Sequence, residues 1–150
     1  MPVQMIRVTA ADLKASPQYQ EDLLKIYSEA EPRRRVLDQE PLSPEAFIAQ
    51  ALGDSCNHFA AALFNDHLIG AVLVSVAEKT WLLHHLCVRE VTRRRGVGTR
   101  LMALVAAAGR EADARVGVPL QGLTVEDQML VRRLGYSLDD TAECFFICNP

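Results

Sequence analysis

Three consecutive arginines, Arg93, Arg94 and Arg95, stand directly before Gly96 and Gly98. Arginine carries a permanent charge and a planar fork of donors that suits phosphate oxygens. Glycine lets the backbone take conformations closed to other residues and approach a ligand closely. Helix-forming residues run on from Thr99, so the glycines stand at a helix start. Unpaired N–H groups and the positive end of the helix dipole gather there. Arginines, glycines and a helix N-terminus together make an anion site, most naturally one for phosphates. The stretch lacks the Gly-Lys-Ser/Thr of a Walker loop and contains no G-x-G-x-x-G.

The elements around that turn follow from local pattern. Residues 81–88 are a mostly apolar run of strand length that leads into the arginines. After the turn, Leu101, Leu104, Val105 and Ala108 share one face of a helix. Upstream, residues 5–8 alternate as a short strand, and Ser16-Pro17 reads as N-cap and first helical residue. Tyr19, Leu23 and Ile26 then give an apolar stripe down to about Glu29. Residues 31–41, with Arg33, Arg34 and Arg35, read as a polar, solvated loop. Ser43-Pro44 repeats the start signal, and Gly53 stops the stripe of Phe47, Ile48, Ala51 and Leu52. Residues 58–64 and 68–77 are strand-like and joined by a hairpin turn at Asn65-Asp66-His67. Residues 116–123 form a strand in which Pro119 demands an edge or irregular position. Thr124-x-x-Asp127 resembles a capping box for a helix ending at Gly135, and residues 143–148 close the chain as a strand. The expected order is β-α-α-β-β-β-α-β-α-β, an α/β (α+β) arrangement.

Composition narrows the function. A chain of 150 residues, 49% hydrophobic, suits one domain spanning 1–150. A net charge of −3 argues against nucleic acid and makes the arginine cluster a local feature suited to a small anion. No apolar run is long enough for a bilayer and no signal pattern opens the chain, so no membrane contact and a cytoplasmic location are expected. Cys56, Cys87, Cys144 and Cys148 form no C-x-x-C pair, so no metal site and reduced thiols are expected, with Cys87 a small core residue.

Arg93-x-x-Gly96-x-Gly98 after an apolar strand resembles the pyrophosphate motif of the GNAT acetyltransferase superfamily. The run from Val88 through Arg89, Glu90 and Val91 to Gly98 resembles, more narrowly, the PanM/PanZ family of acetyl-CoA sensors. The resemblance implies a mixed, mostly antiparallel central sheet with helices on both faces, and acetyl-CoA as cofactor. It implies that the backbone of Leu86, Cys87 and Val88 pairs with pantetheine, the Leu86 amide facing the acetyl carbonyl. Thr92, Arg93, Arg94, Arg95, Gly96, Val97, Gly98 and Thr99 would wrap the pyrophosphate. The position where GNAT enzymes commonly carry a tyrosine acid is Val131 here, and Tyr136 falls where the family has an aromatic core residue. His84 and His85 are the candidate bases, with Glu90 behind them. As strand neighbours they should point to opposite faces, so that only one reaches the cleft. A cofactor site with a poor proton-transfer set suits a sensor that promotes maturation of the aspartate decarboxylase proenzyme. Within the family's Arg-Phe-Asn partner segment, this chain has Leu63-Phe64-Asn65, which leaves Asn65 as the matching contact. The alternative is an N-acetyltransferase acting on an amine.

Overall fold

Near-continuous apolar runs predict strands covered on both faces, and the central strands meet that expectation. In the computed structural model, which describes residues 3–37 and 40–147, seven strands form one sheet. They are β1 (Gln4–Val8), β4 (Asn57–Phe64), β5 (His67–Ala77), β6 (Thr80–Val88), β7 (Arg115–Pro119), β8 (Tyr136–Asp139) and β9 (Cys144–Ile147). Their order across the sheet is β1-β4-β5-β6-β7-β9-β8. Only β6 and β7 run parallel; the other neighbouring pairs of this sheet are antiparallel. A separate small hairpin pairs β2 (Val36–Leu37) with β3 (Glu40–Pro41).

Helices α1 (Ala10–Ala15), α2 (Pro17–Ser28) and α3 (Pro44–Leu52) belong to one face of the sheet. Their core takes in Leu23, Ile26, Phe47 and Ile48 with Phe59 and Leu73 of the sheet. Helix α4 (Val97–Glu111) packs on the other face through Leu101, Met102 and Val105, and α5 (Val125–Arg133) adds Val131. Each fully buried Leu, Ile or Val contributes about 1.5–3 kcal/mol. Helix α4 can lie close on the sheet because Gly109 has no side chain. A Cβ there would come within 2.4 Å of Val116 Cγ2. The layout is the mixed, mostly antiparallel sheet with helices on both faces that was expected. Among the described residues no helix is long and apolar enough to cross a membrane.

Several elements depart from the local reading. Helix α1 was not expected; Thr9 caps it, with the Asp12 carboxylate returning to the Thr9 N–H at 2.8 Å. Its six residues bury a single side chain, Leu13, so it shows no apolar stripe. The stretch 31–41 is not a solvated loop throughout. It holds a 3-10 turn (Pro32–Arg34), the β2–β3 hairpin, and a buried Arg35 whose guanidinium donates to the Tyr27 carbonyl at 2.7 Å. Strand β7 stops at Pro119, short of 123, although the Leu120 N–H still donates to the Glu143 carbonyl at 3.0 Å. Tyr136 is a core residue, 3% exposed, and it also opens β8, a strand the periodicity did not show. Helix α4 starts at Val97, ahead of Thr99. Cys148 lies outside the described residues.

Candidate functional site

The two parallel strands meet for only three residues. Thr80, Trp81 and Leu82 pair with Arg115, Val116 and Gly117, and there the ladder ends. Strand β6 continues to Val88 along β5, while β7 turns to β9. Beyond Leu82, therefore, β6 has no strand partner on its β7 side, and Leu86, Cys87 and Val88 lie in that stretch. A strand edge with unpaired backbone groups accepts an extended ligand much as it would another strand.

At the end of that edge the chain enters a 3-10 turn (Glu90–Thr92) and then the arginine–glycine turn. Arg94 has φ 68° and Gly96 has φ 77°. Left-handed residues placed this way turn successive N–H groups toward one side, the form of an anion nest. Gly96 caps α4 without any side-chain hydrogen bond. The first closed intrahelical bond runs from the Arg100 N–H to the Gly96 carbonyl at 2.9 Å. The N–H groups of Val97, Gly98 and Thr99 thus have no intrahelical acceptor. A Cβ on Gly98 would sit 3.4 Å from Val88 and 3.7 Å from Leu86, which places the helix start directly over the open end of β6.

The arginines divide their work. Arg93 is exposed but folds back along the chain, donating to the Val88 carbonyl at 3.2 Å and the Glu29 carbonyl at 3.3 Å. Arg94 and Arg95 remain exposed as cations beside the turn. Thr92 is buried, and its hydroxyl donates to the Arg89 carbonyl at 2.8 Å. Glu29 anchors the whole loop from α2. Its carboxylate accepts from Arg89 Nε at 2.8 Å and from the Glu90 N–H at 2.6 Å. The chain pattern held one sign of this unforeseen residue: a glutamate at a helix C-terminus opposes the dipole and needs a cation elsewhere. Arg89 is that cation.

The histidines do not alternate. His85 has φ 56°, and the β5–β6 register slips so that His85 and Leu86 together oppose Val72. This bulge cancels the expected opposition of faces. Both imidazoles lie on the α2–α3 face, with ring centroids 6.0 Å apart. His85 Nδ1 lies 2.6 Å from the Arg34 carbonyl, so that nitrogen carries the proton and Nε2 the lone pair. Tyr27 donates its hydroxyl to the His85 carbonyl at 2.8 Å, and Phe47 meets the ring edge-on. Burial lowers the pKa of His85, partly offset by the Arg34 bond, and lowers that of His84 to about 4, with His85 adding to the effect. Such a base takes a proton from an ammonium poorly, since the useful pKa lies near the working pH. The Cys87 thiol donates to the Ile26 carbonyl at 3.2 Å, and burial raises its pKa, so it stays a neutral thiol. Val131 is 4% exposed in the α4-side core. Glu90 is exposed on the loop, and Asn65 is exposed in the β4–β5 turn, at φ 49° beside Asp66 at φ 66°.

A family model described as the acetyltransferase (GNAT) domain, PanZ, matches residues 3–114, which include the open edge of β6 and the arginine–glycine turn. The PanD regulatory factor of Salmonella typhimurium is 39% identical over 66 residues, 44% of this chain and 52% of that protein. The chain thus spans about half the length of the curated relatives it matches. Among solved structures it is similar to the YhhK protein of Escherichia coli bound to coenzyme A. The identity is 26% and the TM-score 0.60, over 99% of this chain and 100% of that one. The PaiA N-acetyltransferase of Thermoplasma acidophilum, in complex with coenzyme A, shares the fold at 13% identity and TM-score 0.63, over 97% of each chain. A family-model match over residues 3–114, most of the length, has one consequence: this chain belongs to the PanZ family of GNAT acetyltransferase domains.

Proposed function

We propose that the chain is an acetyl-CoA-binding regulator of the PanM/PanZ type that acts on the aspartate decarboxylase proenzyme in the cytoplasm. The observation that carries the reading is a well-formed phosphate cradle beside an incomplete proton-transfer set. The N–H groups of Val97, Gly98 and Thr99, with Arg94 and Arg95, would hold the diphosphate. The free edge at Leu86, Cys87 and Val88 would take the pantetheine. Bound acetyl-CoA would supply an activated thioester. Val131, buried where a tyrosine acid would serve, cannot protonate a leaving thiolate, and His84 is a weak base. Ligand binding would fix the loop from Glu90 to Gly96, and that loop exposes Val91, 70% accessible, as an apolar contact for a partner. Asn65 would contribute a second contact. The names of the curated relatives support a PanD-directed role, and the coenzyme A complexes of the structural neighbours support the cofactor.

The test is capture of the proenzyme on the immobilised chain with and without acetyl-CoA. Retention only with acetyl-CoA is expected. Thiol release across a panel of amines at rates above hydrolysis, with no capture, would establish the N-acetyltransferase instead. Gly96→Asp separates binding from folding. Any side chain at φ 77° is strained, so the melting temperature should drop modestly, and Gly96→Asn, which carries the same strain without the charge, is the control. The aspartate carboxylate would occupy the N–H groups and repel the diphosphate, so acetyl-CoA affinity by calorimetry should fall at least tenfold.

A further inference from the structure

A second concavity lies on the α4 face, far from the phosphate turn. It is a cleft of about 430 Å³ roofed by Val105 and floored by β1, β4, β5 and β6. Val105 is eight residues beyond the start of α4, roughly 12 Å along its axis, at the Trp81 end of β6 rather than the Val88 end. Met5, Val74, Val76 and Trp81 make the walls apolar. The polar lining gathers where β1 ends and β4 begins: Arg7, Ser55 and His58.

His58 is 6% exposed, its ring edge-on to Trp81 at 6.3 Å. Its Nδ1 is buried with no hydrogen-bond partner among the described residues. Buried polar atoms are almost always paired, so such an atom calls for a partner. The strand register puts Arg7 opposite Ala60, which makes His58 its diagonal neighbour on the same face. Arg7 has no ion pair within 4.0 Å among the described residues. Asp12, the carboxylate that feels its charge, is already held by the Thr9 N–H at 2.8 Å and the Thr9 hydroxyl at 2.9 Å. An imidazole that lacks a partner, an unpaired guanidinium and an aliphatic pocket of ligand size describe one kind of guest.

We propose that this cleft binds a small aliphatic carboxylic acid, its carboxylate between Arg7 and His58 and its chain against Val74, Val76, Trp81 and Val105. The carboxylate meets a fixed cation and an imidazole N–H, and the chain takes apolar surface out of water. A primary amine would meet the Arg7 charge, and an alcohol would lose the charge-assisted bond.

Trp81 is the only tryptophan of the chain, so its fluorescence reports on this cleft. The full chain is titrated with sodium octanoate, octan-1-ol and octylamine. Octanoate should shift the emission saturably, octanol at least tenfold more weakly, and octylamine without saturation. Arg7→Gln, at an exposed position, should weaken octanoate about tenfold while leaving octanol and acetyl-CoA binding unchanged. Equal affinity for octanoate and octanol would overturn the proposal, as would an octanoate affinity unchanged in Arg7→Gln or no saturable response to octanoate.

Discussion

Individual side chains in this fold hold protonation states that burial imposes. Desolvation lowers the pKa of both His58 and His84 from an ordinary 6.5 to about 4, with the Arg7 charge adding to the effect at His58 and His85 at His84. The unfolded chain therefore binds more protons than the folded one between those values. The stability these histidines contribute is full above pH 6.5 and is lost as pH falls toward 4. Urea unfolding at pH 7 and at pH 5 should differ by roughly 2 kcal/mol or more, the lower pH being the weaker. An unchanged midpoint would mean that both rings are solvated. Tyr136 behaves in the opposite sense: burial pushes its hydroxyl up to about 12, so it stays protonated. Of the expected site residues, Gly96 and Gly98 stand out in the chain because only their type suits a helix start laid on a strand end. Arg93 reads there as one more cation, yet it faces backbone carbonyls.

Among elements, the loop between β6 and α4 depends on a helix distant in sequence. Glu29 ends α2 and ties down both Arg89 and the Glu90 amide across 60 or more residues. Glu29→Gln keeps the shape but loses the charge and one of two acceptors. A charge-assisted hydrogen bond contributes about 1.5–3 kcal/mol, part of it to loop order rather than to global stability. Acetyl-CoA affinity should fall about tenfold with a melting temperature nearly unchanged; an unaltered affinity would show that the loop is held without Glu29. A similar tie fixes the far side of the molecule. Asp127 completes the Thr124 capping box and also meets Arg34 at 3.3 Å. Arg34 in turn presents its carbonyl to His85, so α5 and the β6 bulge are linked through one residue.

At the scale of the whole molecule, two cores back the two faces of one sheet, and the proposed acetyl-CoA site lies where that sheet parts. A ligand that bridges the β6 edge and the α4 start would bind only the folded chain. At a hundred times its Kd it should add about 2.7 kcal/mol, a rise in melting temperature of roughly 5–10 °C for a chain of this size. Pantetheine, which lacks the diphosphate, should give a much smaller shift; an equal shift would remove the arginine–glycine turn from the site. By itself the sequence determined what depends on near neighbours: the caps at Ser16, Ser43 and Thr124, the Asn65-Asp66 hairpin turn, the central strand and the basic glycine turn before α4. Each of these is set by residues within a few positions of one another, where local backbone preferences dominate. Tertiary structure alone decided the bulge at His85, which exists only through pairing with β5, and the clasp of Glu29 on Arg89. It also decided the parting of β6 from β7 and the placing of His58 diagonal to Arg7 in a second cleft. Those features arise from contacts between segments far apart in the chain, which no short-range pattern encodes.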